Sequence, residues 1–76
     1  MYISKAEILD AARTMQEQFN FTRSSLTMPL LRKIRKIYVE HQDEHPAWLE
    51  QSYQDEYKRQ DEICIRAVDH LMSMYE

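Results

Sequence analysis

The side chains able to do chemistry in this chain are one cysteine, three histidines and thirteen carboxylates. A cysteine attacks only as thiolate, which forms readily beside cations or at a helix N-terminus. Cys64 instead has Asp61 and Glu62 as helical neighbours, whose negative charge raises a thiol pKa. It also falls on an apolar stripe, where a buried, inert thiol is expected. His41 and His45 stand at i, i+4 spacing, with Asp43, Glu44 and His70 as potential co-ligands. Pro46 implies that the helix ends by His45, so the two rings lose the shared face that metal binding needs, and no second cysteine completes a zinc set. A histidine near a helix C-terminus, as at His41, suits the macrodipole. The carboxylate pairs fall on faces expected to meet solvent, with no pocket to perturb them. Neither a catalytic residue, a metal site nor a cofactor is expected, and the chain is not expected to be an enzyme.

What must position these groups is a short chain without a single glycine. At 76 residues it has room for one domain, 1–76, with a thin core. The absence of glycine removes glycine-rich phosphate loops, primed hairpin turns and strained nucleophile turns. A formal net charge of −3 argues against a general binder of nucleic acid or anionic membranes. One cysteine excludes an internal disulfide and fits a reducing compartment. No apolar run reaches the ~18 residues of a membrane span, and Met1–Lys5 lacks a secretory core, so a cytoplasmic location is expected.

Three helical segments account for most of the chain. Ser4 and Glu7 form a capping box, with Ile3 and Ile8 placed as a hydrophobic staple around it. Ile8, Ala12, Met15 and Phe19 then repeat at helical spacing, predicting a first helix from Lys5 to Phe19. The connector 20–27 carries Phe21 and Leu26, both expected to tuck into the core. Thr27 or Ser25 is placed to cap a second helix with Pro29 in its first turn. Its inner stripe reads Leu30, Ile34, Ile37 and His41, flanked by Leu31 and Tyr38, while Arg32, Lys33, Arg35 and Lys36 form a basic face opposite. A third helix is predicted from Pro46 to Glu76, reaching ~40 Å. Its stripe reads Leu49, Tyr53, Tyr57, Gln60, Cys64, Ala67, Leu71 and Met74. The expected fold is all-α: a three-helix bundle with a long C-terminal helix packed against two shorter helices.

Some apolar residues fall outside these stripes. Ile65 and Met72 lie off the main stripe of the third helix, Trp48 points to another side, and Val39 faces the basic side of the second helix. Two explanations stand. Either the third helix is wrapped on two faces by its own chain, or it carries a second contact surface for a partner or a second copy. Charge is also segregated. Met28–Val39 holds four basic residues and no acid, whereas Glu40–Glu62 holds eight acids against Lys58 and Arg59. Each run is explained as a solvated helix face. The acidic segment, with Trp48, Tyr53 and Tyr57 interleaved, could also engage a basic protein surface, including one that normally holds nucleic acid.

Two short stretches echo known families. Ile8-Leu9-Asp10-Ala11-Ala12-Arg13, followed by Phe21 and Thr22, resembles the opening helix of TetR-type repressors, which implies a helix-turn-helix. That family's glycine-containing turn and recognition helix are missing here. Met15-Gln16-Glu17-Gln18-Phe19-Asn20 with Met28-Pro29-Leu30-Leu31 looks like the theta subunit of bacterial DNA polymerase III, a small three-helix accessory protein that binds a larger enzyme. Aligning the two requires insertions before Met28 and before Pro46, and no site residue is carried over.

The function expected from these features is binding another protein, as an accessory, adaptor or inhibitor. Trp48, Ile65 and Met72 are the expected anchors, with Asp55, Glu56 and Asp61 as steering charges. A homodimer through the C-terminal helix is the companion expectation. The alternative is a DNA- or RNA-binding regulator that uses Arg32, Lys33, Arg35 and Lys36.

Overall fold

A computed structural model describes residues 2–21, 25–44 and 50–76. They form three helices and no strand: α1 (Lys5–Phe19), α2 (Thr27–Gln42) and α3 (Gln51–Tyr75). The long C-terminal helix packs against both shorter ones, as a three-helix bundle requires.

α1 begins and ends for local reasons. The Glu7 backbone N–H donates to Ser4 Oγ at 3.2 Å, and the Ser4 backbone N–H donates to Glu7 Oε2 at 2.9 Å, completing the capping box. Ile3 is buried and Ile8 half-buried at the staple positions. At the other end Asn20 takes the left-handed conformation, φ 52° and ψ 49°. A helix C-terminus usually gives that position to glycine, and asparagine is the next best residue for it in a chain that has none.

α2 departs from expectation at its start and in its phase. Leu26, not Ser25 or Thr27, occupies the N-cap, with no side-chain cap bond. Thr27 lies inside the first turn and is buried. Leu26, expected in the core, is 76% exposed, whereas Phe21 does pack against the core, its ring 5.6 Å from that of Phe19 and 6.3 Å from that of Tyr75. The buried edge of α2 is Thr27, Leu31 and Ile34, with Tyr38 half-buried beside them. Leu30 and Ile37, placed by periodicity at the centre of the inner stripe, are 40% and 54% exposed. The stripe is wide enough for two neighbours, and only one of its flanks has met α3.

α3 starts at Gln51 rather than Pro46, which lies outside the described residues. Glu50, with φ −58° and ψ 147°, is extended and sets the boundary. Its carbonyl accepts from the backbone N–H groups of Tyr53 and Gln54, both at 3.0 Å. Twenty-five residues give a rod of about 37 Å, against about 22 Å for α1.

Cross-links fix the helix directions. Glu7 near the start of α1 meets Arg59, and Gln16 near its end donates to Tyr75 Oη at 3.3 Å, so α1 runs parallel to α3. Arg35 meets Asp69 and His41 meets Asp61, so α2 runs antiparallel. Leu31, Leu71 and Val68 are fully buried, and Ala12, Met15, Ile34 and Ala67 complete the core around them. No Cα of α1 comes within 8 Å of one in α2. The two short helices sit side by side on α3 with a gap between their backbones. Among the described residues no helix is long and apolar enough to cross a membrane.

Candidate functional site

The gap leaves an open, mainly apolar groove of about 380 Å³ lined by Phe19, Ile34, Ile37, Tyr38, His41 and Asp61. Each wall follows from the local fold. Phe19 is the last residue of α1, where the helix has run past its cover, and it remains 45% exposed. Ile34 forms the deep edge because it belongs to the core of α2. Ile37, three residues on, lies on the flank that meets no other helix, and Leu30 continues that flank one turn before Ile34.

One end of the groove is polar. His41 Nδ1 and Asp61 Oδ2 are 2.9 Å apart, with Asp61 buried and the imidazole exposed. Beside them stand the Tyr38 phenol and the Cys64 thiol. Burial first, then Cys64 and the charge of Asp61, push the Tyr38 phenol above its ordinary pKa. Burial pushes the Cys64 thiol up as well, with the Tyr38 hydroxyl opposing and Asp61 adding to it. Both groups are therefore neutral near pH 7. Below them Gln42 Nε2 donates to Glu62 Oε2 at 3.1 Å, which holds the Glu62 carboxyl below the usual range, with help from Arg66. Among the described residues no cluster of three histidines, cysteines or carboxylates is arranged to hold a metal ion. What the groove offers is apolar surface with a polar terminus, which is the chemistry of peptide or helix capture.

The residues singled out in the sequence fall in several places. Asp55 and Glu56 are exposed on α3, where with Ser52, Lys58 and Arg59 they line a separate hollow of about 430 Å³. Trp48 lies outside the described residues. The expectation that Ile65 and Met72 form a docking stripe on α3 needs correction: Ile65 is only 6% exposed, and Met72 is half-buried against the core. Asp61 is likewise no surface steering charge, being 6% exposed and turned to His41. The cause is shared. α3 is covered on two sides by its own chain, so residues off its central line are enclosed rather than spare.

The basic face is divided. Arg35 Nε donates to Asp69 Oδ1 at 2.8 Å and serves the α2–α3 junction. Arg32, Lys33 and Lys36 are exposed, and among the described residues they make no ion pair.

Periodicity alone places Phe19, Leu30 and Ile37 in the core. The signal that could have singled them out is the breadth of the α2 stripe, which spans six positions from Leu30 to His41 and exceeds what one neighbouring helix covers. Comparison with protein-family models, with curated proteins and with solved structures finds no match.

Proposed function

We propose that this chain is a small, non-catalytic protein-binding module, an accessory, adaptor or inhibitor of a larger protein or a homodimer through its C-terminal helix, that works through the groove between α1 and α2. The observation that carries the proposal is that Phe19 and Ile37 line one open groove and remain 45% and 54% exposed, with Leu30 40% exposed on the same flank of α2 as Ile37, in a chain with little core to spare. Contiguous apolar surface beside cationic residues suits a protein partner better than a small polar substrate. A single cysteine suits a reducing, cytoplasmic setting, and its half-buried thiol with raised pKa suits a structural rather than nucleophilic Cys64.

A photo-crosslinking residue in place of Ile37 tests the site inside the native cell, with the same residue at exposed Arg13 as control. Capture of a defined protein species from position 37 and not from position 13 is expected. Its loss in Phe19→Ser/Leu30→Ser is also expected. Equal labelling from both positions, or none from either, overturns the proposal.

A nucleic-acid regulator is the second reading, favoured by the three exposed cations on α2 that make no ion pair among the described residues. Three cations support only a weak contact that falls steeply with salt. Duplex DNA or RNA that binds at low salt and is released by Lys33→Glu/Lys36→Glu would establish it, and no mobility shift at low salt would eliminate it.

A further inference from the structure

We propose that the occupant of the groove is a second copy of this chain, and that the part which enters is the N-terminal end of α3, Gln51–Tyr57. The inference rests on the protein-binding function proposed above and names its partner. Four observations carry it.

The first is the location of the α3 end. Asp61 is the first buried residue of the helix. Gln51–Tyr57 stands ahead of it, with Tyr53 58% and Tyr57 49% exposed. These rings lie at i, i+4 on one face, the spacing of helix-in-groove anchors. Tyrosines also suit an interface, because they bring large contact area at little entropic cost.

Charge is the second. Glu50 and Glu56 fall on either side of the tyrosine stripe at 100° per residue, and residues 50–57 contain no base. At 100° per residue Lys33 falls next to Ile37 on α2, with Lys36 and Arg32 further round, and residues 28–39 contain no acid. An acidic aromatic segment and a basic-edged apolar groove on the same chain are complementary only between two copies.

Length is the third: Ile34 to His41 spans about 10 Å of α2, and Gln51 to Tyr57 spans about 9 Å of α3. Symmetry is the fourth. A two-fold axis would seat each copy's α3 end in the other's groove, giving two equivalent contacts and leaving neither groove open.

Sedimentation equilibrium of the full chain tests the arrangement. A dimer is expected. Ile37→Glu and Tyr53→Ser, at exposed positions on the two opposing surfaces, should each weaken it about tenfold or more with helical circular dichroism unchanged. Lys33→Glu/Lys36→Glu and Glu50→Lys/Glu56→Lys should each be monomeric alone and form a heterodimer when mixed, because both contacts then regain opposite charge. A monomeric parent chain overturns the inference, and so does a dimer indifferent to Ile37→Glu and Tyr53→Ser. A monomer that still crosslinks a different protein from position 37 overturns the second copy alone, whereas a chain that neither dimerises nor crosslinks overturns the protein-binding function with it.

Discussion

Arg59 Nη2 donates to Glu7 Oε1 at 2.6 Å and to the Tyr2 carbonyl at 3.3 Å, so one guanidinium on α3 holds both the first turn of α1 and the strand of chain before it. The carboxylate it meets is the one that also closes the capping box, through its other oxygen. Local helix initiation and tertiary docking therefore share one side chain.

Sharing makes stability depend on pH. The Arg59 guanidinium, and next the Ser4 backbone N–H, hold the Glu7 carboxyl at about 2, against an ordinary 4.5. A depressed carboxylate contributes stability that is fully present above its unfolded pKa and lost as pH falls through the folded one. Glu7→Gln keeps an acceptor for the capping box and discards the charge. Thermal melts followed at 222 nm should show the parent losing stability between pH 4.5 and 2, and the variant losing less over the same window. Parallel curves would mean that the ion pair contributes nothing.

Ser4→Ala removes the cap acceptor without touching Arg59. A loss of about 1 kcal/mol is expected, read as a lower urea midpoint at unchanged slope.

Leu71 is fully buried at the centre of the core, where α3 faces both short helices. Leu71→Ala should cost about 2–5 kcal/mol, enough to unfold much of so small a domain at room temperature. Leu26→Ala, at a 76% exposed site, should stay within about 0.5 kcal/mol of the parent. Equal effects at the two positions would contradict the described core.

The Cys64 thiol is half-buried and its pKa is raised above 9.0 by burial, so thiolate is scarce at pH 8. Labelling by a disulfide reagent should be slow in buffer and speed up about tenfold or more in denaturing urea. Rapid labelling of the folded protein would place the thiol on the surface instead.

Legibility in the sequence followed how local each determinant is. α1 was readable from end to end because its capping box and its spacing lie within the helix itself. The bundle with a long third helix was readable for the same reason. The phase of α2 was not, because an apolar stripe records that a face avoids water without recording which flank finds a neighbour. Ile34 was correctly placed, Leu30 and Ile37 were not, and the difference lies in the empty space beside α1. For Ile65 and Met72, both explanations for apolar residues off the stripe were visible, and wrapping of α3 by its own chain is the one that places Ile65 inside. The start of α3 is set by the extended backbone at Glu50, a glutamate whose side chain gives no cap signal in the sequence. Groove residues are hardest to read, since their side chains are those of a core and only the arrangement of other helices leaves them open.

The separation of the α1 and α2 backbones has a further bearing on how the protein opens. With no backbone contact between them, α1 and α2 meet only through side chains of the shared core over α3, so each should lose protection at its own rate short of global opening. Deuterium uptake would then sort the amides into three tiers. Those of α3 after Asp61 would be the slowest, and each flanking helix would exchange at its own rate.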